Sequence, residues 1–199
     1  MKLYYSPGAC SLSPHIVLCE AGFPHEMVKV DLKSKKTESG ADYAAVNPKG
    51  YVPALELDDG TVLTEGPAIV QYLADKAPAS NLAPANGSIE RYRLQEWLGF
   101  IGTELHKQFS NLFNPNMPDA IKAATKEKIV GRFALVEKKL GSHDYLMGKH
   151  FTAADAYMFV VMRWAKKFEV ALPAALEKYF DRIAARPKVQ QALQMEGLA

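Results

Sequence analysis

The chain of 199 residues has only two cysteines, Cys10 and Cys19. Two thiols cannot build a disulfide framework, which excludes the small cross-linked secreted scaffolds. Neither sign of charge is in excess: 24 Lys and Arg against 22 Asp and Glu leave a net +2. That balance lacks the basic face that nucleic-acid binding needs, and no block of five or six like charges occurs. No apolar run approaches the ~20 residues of a membrane-spanning helix. The opening MKLYYSPG carries one charge and no apolar stretch, so no secretory signal is expected. Internal repeats and low-complexity tracts are absent. These absences set the expectation of a soluble, cytoplasmic protein in a reducing compartment, without nucleic-acid or membrane partners. A lone thiol there is of more chemical interest than it would be outside the cell.

Hydrophobic residues make up 48% of the chain, enough for one large domain or two small ones. Lys2-Leu3-Tyr4-Tyr5 is β-prone and ends at Ser6-Pro7-Gly8. Ser11 or Ser13 as N-cap, with Pro14 in the first turn, opens a helix that Gly22 stops. Residues 26–32 suit a buried strand. Residues 54–57 and 61–64 flank Asp58-Asp59-Gly60, a hairpin signal. Gly66-Pro67 opens a helix with apolar Ile69, Val70 and Leu73, and Pro78 follows its end. APASNLAPANGS, 77–88, has linker composition. Beyond it the apolar spacing is helical over 88–111 and 119–140, then from Thr152, and again over 173–185 and 187–195. Thr152 and Asp155 form a capping-box pattern in front of a helix apolar nearly all round, which predicts burial.

Three short stretches carry chemical signals, each with a plain structural alternative. Cys10 stands where the first strand meets the first helix. The N–H groups and dipole of a helix start favour an anion and lower a thiol pKa, with Ser11 as an added donor; alternatively Cys10 fills a tight turn. Cys19 lies on the apolar part of that helix and reads as core. Val52-Pro53 precedes a strand: a cis bond would turn the Val52 backbone outward as a free edge for an extended peptide, whereas local signals favour an ordinary trans proline. Glu65-Gly66-Pro67 begins a helix. Its N–H groups and the Glu65 carboxylate together suit an α-amino acid group, or they are ordinary capping.

Taken in order, MKLYYSPGACSLSPHI, VNPKGYVPALELDDGTVLTEGPAIVQYLAD, ERYRLQEWL, IGTELHK and FTAADAYMFVVMRWA span the chain. That combination resembles the cytosolic glutathione transferases, and within them the bacterial beta class. The resemblance implies an α/β thioredoxin-like N-terminal domain of order β-α-β-α-β-β-α over 1–77. A linker, 78–88, and an all-α C-terminal domain, 89–199, complete the fold. It implies an enzyme that binds glutathione as co-substrate, attacks small hydrophobic electrophiles, works as a homodimer and needs no metal.

The resemblance also implies residue roles. Cys10 would contact the glutathione sulfur, with Ser11 or Tyr5 able to share the task. Val52 would pair with the cysteinyl unit, positioned by a cis-Pro53, with Tyr51 alongside. Glu65 and Gly66 would hold the γ-glutamyl end and Lys35 the glycine carboxylate, although the run Lys33-Ser34-Lys35-Lys36 otherwise reads as a solvated loop. His106 and Lys107 would approach the sulfur; Thr103 and Glu104 would reach the partner subunit's glutathione. Tyr5, Phe109, Phe113 and Trp164 would line the electrophile pocket, or the last three are simply core. With Cys10 so near a second sulfur, disulfide exchange or reductive dehalogenation would compete with conjugation. A non-catalytic ligand-binding protein on the same fold is a further alternative.

Overall fold

The computed structural model describes residues 1–199 and begins with the strand β1, Lys2–Tyr5. Helix α1, Leu12–Ala21, follows, and Gly22 ends it in the left-handed region at φ 73°. A glycine adopts that backbone without the Cβ penalty, so the helix stops where the sequence places it. Strands β2, Glu26–Asp31, and β3, Lys36–Thr37, come next, and a short 3-10 turn over Tyr43–Ala45. The hairpin β4, Ala54–Glu56, and β5, Val62–Thr64, then leads into α2, Gly66–Lys76.

The sheet order is β3-β2-β1-β4-β5. β1 and β2 are parallel, with Leu3 opposite Met27, while β4 and β5 run antiparallel to their neighbours. This is the thioredoxin-like arrangement, with two departures from expectation. The helix between the second strand and the hairpin is only the Tyr43–Ala45 turn, because Pro48 and the surrounding polar residues leave no apolar stripe to bury. β2 is not a buried strand: Val30 alone is buried there, since β2 makes its main contacts in-plane with β1 and β3 and no helix packs extensively across it.

The rest of the chain is helical. α3, Ile89–Phe100, runs through a π-helical segment, Ile101–His106, into α4, Lys107–Phe113. α5, Asp119–Leu140, α6, Ala153–Lys167, α7, Ala174–Ala184, and α8, Pro187–Met195, complete it. α6 is the central helix: every residue from Ala153 to Met162 is buried. Its start is fixed by Asp155. One carboxylate oxygen accepts from the Thr152 N–H and hydroxyl, both at 2.8 Å. The other accepts from the Leu146 N–H at 2.8 Å and the Tyr179 hydroxyl at 2.7 Å. The capping pattern is therefore built as spelled.

α1 is sandwiched between α2 on one side and α6 and α8 on the other, so one hydrophobic core runs from Leu3 and Leu12 through Ile101 and Phe159 to Leu193. No helix is long and apolar enough to cross a membrane.

Candidate active site

A cavity of about 820 Å³ opens between the sheet's α1 edge and the π-helical segment. Cys10, Tyr51, Val52, Pro53, Glu65, Gly66, His106, Lys107 and Phe113 line it. Residues more than fifty positions apart in sequence thus share one wall. The loop Asn47–Pro53 is held in place by its own side chains: the Tyr51 carbonyl accepts from the Tyr43 hydroxyl at 2.8 Å and from Asn47 Nδ2 at 2.7 Å. The Val52–Pro53 peptide bond is cis, against the local reading and with the resemblance. The Val52 N–H has no hydrogen-bond partner within the protein, which leaves a backbone donor for an extended ligand.

Cys10 lies at the cavity wall with its sulfur deep among protein atoms. Its thiol donates to the Val52 carbonyl at 3.2 Å. Burial pushes its pKa up to about 11; the N–H groups of Cys10 and Ser11 oppose the shift without overcoming it, and the Glu65 carboxylate adds to it. This corrects the expectation of a low-pKa thiolate: desolvation outweighs the helix start. Cys10 is a neutral hydrogen-bond donor here.

His106 is also neutral. Burial, and secondarily the Lys107 charge, lower its pKa to about 4. Its Nδ1 lies 2.5 Å from the Tyr157 hydroxyl, whose own pKa is raised by burial. The arrangement that satisfies both groups has Tyr157 O–H donating to Nδ1 and the imidazole proton on Nε2. Tyr157 also lines the cavity, and the residue reading missed it. The available signal was a lone phenol in an otherwise apolar helix, whose hydroxyl must find a partner.

Glu65 sits at φ 71°, an uncommon conformation for a residue with a side chain, immediately before α2. Lys49 holds it at 2.6 Å and also reaches the Thr64 hydroxyl at 3.2 Å. Lys49, to which no sequence signal assigns a role, thus lines the cavity beside Glu65. Lys35 stands near the rim: its Nζ donates to the Gly50 carbonyl at 2.8 Å and lies 5.6 Å from the centre of the exposed Tyr51 ring. It does not line the cavity wall.

Four further residues expected at this cavity lie elsewhere. Ser11 is fully buried, bonded to the Ser6 backbone at 3.2 and 3.3 Å, so its hydroxyl is spent on the turn. Tyr5 and Phe109 are packed in the core. Trp164 is buried, and its indole N–H donates to the Gly8 carbonyl at 2.8 Å. It acts one layer back, edge-on to His106 with ring centres 4.8 Å apart. Thr103 and Glu104, expected at the partner subunit's ligand and not at this cavity, do not line it: Thr103 returns its hydroxyl to Gly99, and Glu104 pairs with Arg132 at 2.8 Å. Of the proposed electrophile-pocket residues only Phe113 remains, 45% exposed at the cavity mouth.

A thioredoxin-like sheet with a thiol at its first helix, closed over by a helical domain, defines a class of thiol-handling enzyme. The comparisons carry this further. The family model "Glutathione S-transferase, N-terminal domain" matches residues 8–76, and "Glutathione S-transferase, C-terminal domain" matches 100–187. The chain is 48% identical to glutathione S-transferase GstA of Escherichia coli O157:H7 over 100% of both chains. A sphingomonad glutathione S-transferase solved with glutathione is 50% identical, with TM-score 0.95 and 100% of both chains covered. The beta-class enzyme of Sphingomonas chungbukensis is 45% identical, with TM-score 0.94 and the same coverage. The chain belongs to the glutathione S-transferase family, and to its bacterial beta class.

Proposed function

We propose that this enzyme binds glutathione in the cavity described and conjugates it to small hydrophobic electrophiles. The observation that carries this reading is the Val52 backbone. Its N–H is free while its carbonyl holds the Cys10 thiol, so an extended cysteinyl ligand pairing there would bring its sulfur beside Cys10. Glu65 and the first N–H groups of α2 suit the ammonium and carboxylate of a γ-glutamyl end. Lys35, at the rim, suits the glycine carboxylate at the other end. The ligand thiol is a poor nucleophile until ionised. Cys10 S–H and the His106 N–H are neutral donors able to hold its thiolate, and Lys107 adds a positive field. The thiolate then forms the S–C bond, and the electrophile loses a halide or takes up a proton. Domains of 1–77 and 89–199, joined by 78–88, are part of this proposal.

The state of Cys10 favours conjugation over disulfide exchange or reductive dehalogenation by this thiol. With a pKa near 11, roughly one molecule in ten thousand carries the Cys10 thiolate at pH 7. The test is a screen of activated aromatic halides, unsaturated carbonyls and mixed disulfides with wild type and Cys10→Ala, glutathione present. Conjugation should persist within about tenfold, the worth of one neutral hydrogen bond. Abolished conjugation in Cys10→Ala would overturn this reading.

A homodimer belongs to the same proposal. Thr103 and Glu104 face away from their own cavity, and Trp97, Phe100 and Leu135 leave an apolar groove on the surface between α3 and α5. A monomeric mass in light scattering would refute it.

A further inference from the structure

Behind the cavity, on the far half of α1, three metal-ligating side chains converge: His15, Cys19 and His25. Their donor atoms all lie within 4.8 Å of one another. His15 and Cys19 are four apart on α1 and so share a face. His25 comes from the loop Phe23–His25 between α1 and β2 and packs edge-on against His15, with ring centres 5.3 Å apart. No part of the proposed glutathione chemistry uses this cluster.

The hydrogen bonds around it are as informative as the donors. His15 is fully buried, and its Nδ1 bonds the buried Glu196 carboxylate at 2.9 Å. His25 Nδ1 bonds the Phe23 carbonyl at 2.8 Å. Both partners are acceptors, so both rings carry their proton on Nδ1. The two Nε2 atoms are buried and without a hydrogen-bond partner in the protein. Unpartnered buried polar atoms are rare and call for an explanation. Imidazoles oriented through Nδ1 by a carboxylate and a backbone carbonyl, each with a bare Nε2, have the outer-sphere support of metal ligands.

We infer that His15, Cys19 and His25 form a binding site for a borderline-soft divalent cation, with zinc as the fitting ion. Two imidazoles and a thiolate suit zinc and offer no oxygen shell for magnesium or calcium. Zinc bonds of about 2.0–2.3 Å place such donors about 3.5 Å apart, so the cluster closes by about 1 Å, which the loop-borne His25 can supply. Binding forms a Zn–S bond and releases the Cys19 proton to solvent. The thiolate and Glu196 offset the two charges of the ion, and a water fills the fourth position. The site would tie α1 to the start of β2 and, through Glu196, to the end of α8. The resemblance implied no metal, and Cys19 read as core filler; only the fold brings the three groups together.

The test uses untagged full-length protein stripped with a chelator and dialysed against zinc chloride, with bound zinc measured by elemental analysis. Wild type and Cys10→Ala should each retain about one zinc per chain. His25→Gln and Cys19→Ala should each bind at least tenfold more weakly. Zinc should raise the thermal midpoint of wild type and not of these variants. Cobalt in place of zinc should give a thiolate-to-metal charge-transfer band, a reading on wild type that stands even if a variant misfolds. The inference is overturned if wild type retains no zinc or shows no such band. It is also overturned if both ligand variants bind normally, or if Cys10→Ala abolishes binding. None of these outcomes depends on glutathione turnover.

Discussion

At the scale of single residues, the site is defined by groups held neutral. Cys10 and His106 are both titratable, and burial drives them in opposite directions to the same uncharged state. The charge that develops in the reaction is then left to the ligand's own thiol. Two consequences follow for pH. With a His106 pKa of about 4, His106 does not ionise between pH 5 and 9, so the rise of kcat with pH at saturating glutathione should report the bound thiol alone. An inflection near pH 6.5 that disappears in His106→Asn would refute this. For stability, the unfolded chain binds a proton at His106 near pH 6.5 that the folded chain refuses until about 4. The unfolded state therefore holds more protons in that window, and stability falls as pH drops from 6.5 towards 4. His106→Asn should flatten that fall in urea titrations. Tyr157→Phe removes the 2.5 Å bond to His106 and should lower kcat about tenfold with glutathione KM little changed. The site was only partly legible from residues. Val52-Pro53 and Glu65-Gly66 announce themselves because turn formers flag them; Lys49 and Tyr157 do not, since their partners lie sixteen and fifty-one positions away. Sequence alone leaves Cys10 open between a helix-start thiolate and a turn filler, because helix-start arguments see the dipole and not the desolvation.

At the scale of elements, function sits where regular structure is interrupted. The stretch IGTELH forms a π-helical segment inside a continuous helix, and that register change presents Gly102, His106 and Lys107 to the cavity. Helical spacing predicts the helix but not the bulge, because an extra residue per turn leaves the apolar pattern nearly unchanged. The Thr152–Asp155 start of α6, by contrast, is legible because its partners are local. The start of α2 is the second interruption. Glu65 holds φ 71° there, a conformation costing about 1–3 kcal/mol for a non-glycine residue. Its salt bridge to Lys49 is exposed at both ends, 52% and 66%, and contributes little. Strain retained without compensating stability points to ligand binding. Glu65→Gly should therefore raise stability by about 0.5–1 kcal/mol while weakening glutathione at least tenfold. Denaturant midpoints and glutathione calorimetry on the same preparation decide it; a loss of stability, or unchanged affinity, would count against the assignment.

At the scale of the whole molecule, the sheet and the helical bundle share one core. The sequence shows a composition shift at 77–88 and so reads as two domains, but spacing says nothing of how closely they join. The join is extensive. α1 is covered by α6 and α8, and the core passes through without a gap. Polar ties cross the same boundary: Trp164 to the Gly8 carbonyl, Glu196 to the Gly8 N–H at 2.9 Å, and Arg186 to Glu20 through two bonds of 2.7 and 2.9 Å. Arg91 is the clearest of these. It is 3% exposed, grips Asp75 through two bonds of 2.7 Å, and donates to the Pro84 carbonyl of the connecting segment at 2.9 Å. Removing one partner of a fully buried pair costs roughly 3–5 kcal/mol. Asp75 is 37% exposed and can be rehydrated, so Arg91→Ala should cost about 2 kcal/mol. Because the halves share a core, that cost should shift one cooperative transition and not split it. Urea unfolding followed by far-ultraviolet circular dichroism, tryptophan fluorescence and activity should give coincident curves in wild type and Arg91→Ala, displaced together. Two separated transitions in either protein would mean that the core is continuous in contact but not in energy.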